Sequence, residues 1–490
     1  MSDRKTIADN GLGSPQASDR NAIAGNGLGS PQASTTTDRA LVGADAVARA
    51  LARAKQAGAS EADAMLLEAD SISSRVRGAE IDFVTQARER VLGIRTFVRQ
   101  AGGLSCGSTS TSDLAPATID RMADEAVALA RATAPDASAG LPAGGFASDA
   151  PDLALFDPAD RHVAIEARIE DARRAEAAAR AVDARIVNSE GSQVSSEFRS
   201  VVYGNSAGFI GSYESASHAL FSEPVARENG AMQRDYWLTA ARRLDRLEDA
   251  AAVGRRAAER ALRRLSAKRV ATCEVPVLFE PLAARSLLGH LAGCVSGGAI
   301  YREASFLAGR LGERIASELV TVIDDGRLPG GLGSRPFDGE GQPTRRNVIL
   351  DQGVLKTYLL DSYSARKLGM KSTGSAARGA AGSPSPAATN LWLEPGKLPP
   401  EEMIRRTERG LLVTELIGMG FNPVTGDYSR GAAGQWIEDG RVVHAVEEIT
   451  IAGQLGAMLA AIDLVGSDLL WAGSVAAPTV RIANMTVAGS

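Results

Sequence analysis

Side chains able to act as metal ligands or nucleophiles are few and scattered in this chain. It has three cysteines, Cys106, Cys273 and Cys294, and four histidines, His162, His218, His290 and His444. There is no CxxC pair, and His162, His218 and His444 show no ligand spacing. His290 and Cys294 stand four residues apart and could share one helix face. Two ligands make a poor zinc site, however, and such a pair is more often ordinary packing. Gly-x-Ser-x-Gly strings surround Ser105 and Ser206. A nucleophile elbow needs a strand before the serine and a helix straight after it. Ser105 is followed by a Ser/Thr-rich stretch and Ser206 by a strand-like one, so both read as chance matches in a chain with 51 glycines. Two carboxylates, Asp338 and Glu340, lie on a glycine-bearing loop beside Pro343. Asn422 through Arg430 forms a second polar loop.

The stretch Gly333 to Gly369, GSRPFDGEGQPTRRNVILDQGVLKTYLLDSYSARKLG, reads as loop, strand, tight turn, strand. Asn347–Leu350 and Leu355–Leu360 are the apolar runs, and Asp351-Gln352-Gly353 is the turn between them. Its wording closely resembles the C-terminal domain of the TldD/PmbA family, proteins implicated in peptide-bond hydrolysis. Further matches follow in order: Ser372–Gly374, Gly410–Leu416, Asn422, Thr425–Ala432, Gly434–Glu438, Glu448–Gly453 and Met485–Gly489. Each is weak alone, and their order and spacing together are strong.

The resemblance implies a specific absence. The catalytic half of the family carries an H-E-x-x-x-H helix and a cysteine near the C-terminus, which hold zinc and activate water. The matching helix here reads Arg285-Ser286-Leu287-Leu288-Gly289-His290, and Asp468 to Val480 contains no thiol. A guanidinium cannot coordinate a cation and repels it. The pattern is similar to the PmbA (TldE) branch, whose members pair with a zinc-bearing TldD chain. It therefore implies no cofactor in this chain, zinc in a TldD-type partner, and an unfolded or extended peptide as substrate. A second subunit can close the path to the metal and offer a strand edge to such a peptide. The candidate substrate or partner surface is Phe337, Asp338 and Glu340 with Asn422, Asp427, Tyr428, Ser429 and Arg430. Turn chemistry explains several of the same residues equally well. Two rivals remain: an independent hydrolase with a non-metal nucleophile, and a non-enzymatic peptide-binding or regulatory protein.

The elements that must position these residues read as α+β. The 490 residues carry a formal net charge of −5, which argues against a general nucleic-acid binder. Apolar content is 44 % and aromatic content 4 %, so cores should rest on small and aliphatic side chains. No apolar run is long enough for a membrane span and the start lacks the core of a signal peptide, so the cytoplasm is expected. Residues 1–37 contain a duplicated Asn-Gly-Leu-Gly-Ser-Pro-Gln-Ala-Ser unit and predict a disordered tail. Residues 38–150 predict an N-terminal α+β domain: a helix to Gln56, strands, a helix from Pro116 to Ala132, then a linker or long surface loop from Ala134 to Ala150. Residues 151–268 repeat the layout and close with a basic helix, 250–268, read as a solvated face. Residues 269–490 predict a β-rich domain of antiparallel meanders, with a helix at Pro281–Val295.

Overall fold

Four strands of unusual length organise the N-terminal half of the protein. A computed structural model describes residues 36–149 and 151–489, without the side chains of 36–41. Apart from Thr36 and Thr37, the duplicated tail lies outside the described residues. The first elements are α1 (Thr36–Gln56), β1 (Glu61–Arg77), β2 (Glu80–Gln100), β3 (Gly103–Thr111) and α2 (Pro116–Ala132). Then come α3 (Ile165–Arg180), β4 (Ile186–Asn205), β5 (Ile210–Glu228), β6 (Ala231–Arg234), β7 (Trp237–Ala241) and α4 (Ala250–Leu262). The strands of both expected N-terminal units join in one seven-stranded sheet, ordered β3-β2-β1-β4-β5-β6, with β7 also on β5. β1 and β4 pair antiparallel from Asp63↔Asn205 to Val76↔Ser192. The two helix–strand layouts thus share a single sheet.

Strand length makes this arrangement work. Twenty residues at ~3.3 Å each reach ~66 Å, enough for two helix pairs laid end to end. The side-chain alternation of β1 and β4 sorts the two faces. Ala62, Ala64 and Leu66 of β1 and Val202 of β4 pack under α1 and α2. Val76 and Val194, on the same face, pack under α3 and α4. Helix contacts rest on small residues, as composition predicts: a Cβ on Gly254 would lie 2.0 Å from the Ala175 carbonyl oxygen.

The opposite face of the sheet receives the C-terminal half. Met65, Val201 and Tyr203 pack there against Phe337. The C-terminal half starts with β8 (Cys273–Phe279) and α5 (Pro281–Cys294). β8 sits between strands Arg409–Ile417 and Val480–Ala488 in a six-stranded sheet. Strand Arg441–Gln454 pairs with Asp427–Glu438 and also with Val480–Ala488, which closes five strands into a ring around the main core. A second six-stranded sheet includes Val322–Asp325, Arg346–Asp351 and Val475–Ala477. The architecture is α+β, with antiparallel pairing dominant. Among the described residues, two strand–strand pairings are parallel: β8 with Arg409–Ile417, and Leu391–Leu393 with Val475–Ala477.

Three local readings change: the second strand of the hairpin, the end of the basic helix and the exposure of its guanidiniums. The tight turn is present, with Gln352 at φ 46° and Gly353 at φ 81°. Its second strand is only Val354–Leu355, because Leu359 bonds instead to Val295 and Gly297. The stretch from Ala134 is a long loop held to the C-terminal half: Arg366 donates to the carbonyls of Ser138, Gly140 and Leu141, and Asp136 binds Tyr363 and Lys367. The basic helix ends at Leu262, and its guanidiniums are not a solvated face throughout. Arg260 is buried between Asp235 and Glu280, Arg263 binds Glu280, and Arg264 binds Glu415. Among the described residues, no helix is long and apolar enough to cross a membrane.

Candidate functional site

Helix α5 begins with Pro281 in its first turn, where a missing N–H costs nothing. It buries Ala283, Ala284, Leu287, Leu288, Leu291 and Cys294 in the core. That register leaves Arg285, Ser286 and His290 on its other side. Arg285 Nη1 donates to the Ala472 carbonyl at 3.1 Å, and Ser286 Oγ to the Ala283 carbonyl at 2.8 Å. His290 lies over Phe421, ring centroids 4.4 Å apart, with the edge of Tyr428 at 5.9 Å. Its Nε2 is buried without a hydrogen-bond partner. Burial, and then the charge of Arg430, push His290 down to about 4, so the ring is neutral at pH 7.

Strand Asp427–Glu438 supplies the facing wall. Tyr428 is buried, its phenol beside Arg430 and Ser286, and burial pushes it up to about 12. The Tyr428 Oη and the Arg430 Nε are both enclosed, and neither makes a well-formed hydrogen bond. Arg285, Ser286 and Arg430 line a cleft of about 470 Å³ with Asp235, Tyr236, Glu415 and the backbone of Ala472–Val475. Two sets of residues far apart in sequence, 285–290 and 428–430, therefore meet at one place. Asn422, on the loop before the strand, and Asp427 and Ser429, on the strand itself, are exposed and remain outside the cleft. Asn422 Oδ1 accepts from Val424 N, Asp427 Oδ2 accepts from Thr425 Oγ1, and Ser429 N donates to the Gly420 carbonyl.

The donor set does not suit zinc. Arg285 and Ser286 are not ligands, and His290 Nε2 faces aromatic rings. Cys294 points into the core, where burial raises its thiol to about 11, the reverse of what a thiolate ligand requires. Among the described residues, no three His, Cys, Asp or Glu side chains gather as a metal group.

The first candidate loop is not a surface. Phe337, Asp338 and Glu340 are exposed by only 4 %, 1 % and 1 %. The loop is pressed against the sheet face that carries Tyr203. Asp338 Oδ1 accepts from the backbone of Glu340 and Gln342, and its Oδ2 from Ala376 N. Glu340 Oε2 accepts from Ser362 N. The turn signals were real, but the turn folds inward because Phe337 anchors it among Tyr203, Phe209 and Tyr213.

Neither Gly-x-Ser-x-Gly serine sits in an elbow. Ser105 lies within β3, its Oγ donating to the Val98 carbonyl, and Ser206 Oγ accepts from Ala62 N. A Ser–His–Asp grouping does exist that spacing did not reveal. His218 Nδ1 lies 2.8 Å from Ser196 Oγ, and its Nε2 lies 3.3 Å from Asp160. It is sealed, with Ser196 and His218 exposed by 2 % and 1 %, and Arg168 donates to the same hydroxyl. It is a packing network between η-turn, strand and helix rather than a reactive centre. Tyr236, Glu415 and Ala472–Val475 were missed as cleft residues. The acidic partners of the basic helix were the available signal.

A long antiparallel sheet backed by helices, joined to a β-rich ring that carries α5, defines a multi-domain α+β protein. Three consecutive domains of one family match it: PmbA/TldA metallopeptidase domain 1 at residues 62–130, the central domain at 158–265 and the C-terminal domain at 272–489. The chain is 40 % identical over 430 residues to Metalloprotease PmbA of Escherichia coli O157:H7, covering 87 % of this chain and 92 % of that one. It is 36 % identical over 448 residues to the Metalloprotease PmbA homolog of Haemophilus influenzae, covering 91 % and 96 %. The crystal structure of TldE from Thermococcus kodakarensis superposes with a TM-score of 0.81 at 25 % identity, covering 91 % of this chain and all of that one (100 %). This chain belongs to the TldD/PmbA family, in its PmbA branch.

Proposed function

We propose that this chain is the zinc-less subunit of a heterodimeric TldD-type metalloprotease, working in the cytoplasm on unfolded peptides or peptide precursors. The observation that carries the reading is the substitution at α5. Where the catalytic half would place a ligand and a base, this chain presents Arg285 and Ser286, and its one retained histidine is held neutral between Phe421 and Tyr428. Peptide hydrolysis needs an activated water and a base beside it. Both would come from a zinc-bearing partner.

Two features support a role in shaping the substrate path. The 470 Å³ cleft meets a second one of about 400 Å³ at Ser474, the latter lined by Arg199, Arg242, Arg335 and Thr389. The two clefts share Ser474 in their linings, and the second lies between the sheet and the C-terminal half. The turn beyond strand Arg409–Ile417 also exposes Ile417, Met419 and Val424, an apolar tip suited to a protein partner. The test is an unfolded-peptide cleavage assay with each chain alone and both mixed. Cleavage only in the mixture, abolished by removing a zinc ligand from the partner, is expected. Robust cleavage by this chain alone with a chelator present would promote the independent hydrolase. No effect of this chain on the partner's activity would promote a non-enzymatic role.

A further inference from the structure

The cleft at α5 holds two guanidiniums, Arg285 and Arg430, that make no ion pair among the described residues. Its two carboxylates are already engaged: Glu415 with Arg264 at 2.5 Å, and Asp235 with Arg260 at 3.2 Å. Its two guanidiniums are not. Arg285 makes a single bond, to a backbone carbonyl. Arg430 makes no ion pair among the described residues, and its enclosed Nε has no acceptor. Tyr428 Oη beside it is likewise enclosed, close to Arg430 and Ser286 but without a well-formed hydrogen bond. Leaving N–H and O–H donors enclosed without acceptors is costly, and such groups in a cleft are those a ligand can satisfy. A guanidinium presents a planar fork of donors that matches a carboxylate. Gly473, at φ 155°, has no atom within 4 Å of where its Cβ would be, so the wall opposite is open.

We propose that this cleft is a binding site for a peptide carboxylate, held by Arg285 and Arg430 with the Tyr428 phenol as a further donor. The replacement of the metal positions then creates a site rather than merely removing one. This goes beyond the heterodimer reading and is independent of the partner, since the chain binds on its own.

Fluorescence anisotropy with the full chain decides it. The probes are a short extended peptide labelled at its N-terminus with a free C-terminal carboxylate, the same peptide amidated, and the amidated peptide with one internal glutamate. The free acid binds at least about tenfold more tightly than the amide, and the difference shrinks with added salt. Arg285→Gln and Arg430→Gln each remove most of that difference. Glu415→Gln, which takes negative charge from the same cleft, holds or raises the affinity. If the internal glutamate restores binding, the carboxylate comes from a side chain; if it does not, it is the C-terminus. Equal affinity for acid and amide on the native chain, or two folded arginine variants that keep the difference, overturns the proposal. Because no partner is present, that failure leaves the heterodimer reading standing.

Discussion

Arg378 reaches Asp63 across the two halves of the chain, Nη1 to Oδ1 at 2.6 Å, with both side chains closed to solvent. Arg95 grips the other carboxylate oxygen at 2.5 Å. Burial alone would raise the Asp63 carboxyl, but Arg378 and Arg95 outweigh it and hold it below the usual range. Asp63→Asn leaves two buried guanidiniums without a counter-charge. The expected loss is about 3–5 kcal/mol, read from denaturant unfolding. Arg378→Met costs less, because Arg95 continues to neutralise Asp63.

Glu340 sets a pH dependence of the opposite sign. Burial and then the neighbouring Asp338 push its carboxyl up, and burial does the same to Asp338. The folded protein therefore holds protons that the unfolded chain releases above about pH 4. Stability from these groups is full below that point and declines as pH rises toward neutrality, since the native state binds more protons than the unfolded one. Glu340→Gln mimics the protonated form. It should raise stability at pH 8 by about 1–3 kcal/mol and leave it nearly unchanged at pH 4. Thermal melts of both proteins across this range check it. A variant that parallels the native protein at every pH rules out the assignment.

Zinc should not co-purify in stoichiometric amount. Elemental analysis after dialysis is expected to find well under one zinc per chain. The donor set at Arg285, Ser286, His290 and Cys294 has neither the number nor the protonation states that zinc requires. One tightly held ion per chain would contradict the site's geometry.

His290→Ala separates packing from chemistry. Removing a ring stacked on Phe421 should cost about 1–3 kcal/mol of stability. Cleavage by the mixed complex should stay within a few-fold of native, because the imidazole is neutral, enclosed and packed against Phe421. Loss of cleavage with the fold intact would give His290 a part in the reaction.

Met419 is exposed by 85 % at the apolar turn. Met419→Asp should change stability by less than about 0.5 kcal/mol. It should weaken association with a zinc-bearing partner by about tenfold or more if that turn is the contact. Analytical ultracentrifugation of the mixed chains makes the comparison, and unchanged association moves the interface elsewhere.

The broad order of helices and strands, the α+β class and the tight turn at Gln352-Gly353 were legible in the residues themselves. Each depends on neighbours a few positions away: apolar spacing, or a turn residue at positive φ. What local pattern could not carry is which surfaces meet. Asp338 and Glu340 have the composition of an exposed turn, yet Phe337 draws them into the face of a sheet built some hundred residues earlier. Arg260, Arg263 and Arg264 read as a solvated helix face until Asp235, Glu280 and Glu415 come to meet them. The cleft joining Arg285 to Arg430 exists only because α5 and strand Asp427–Glu438 pack against the same ring. Secondary structure follows short-range sterics and hydrogen bonding, whereas burial and charge pairing follow long-range packing, and only the folded chain decides those.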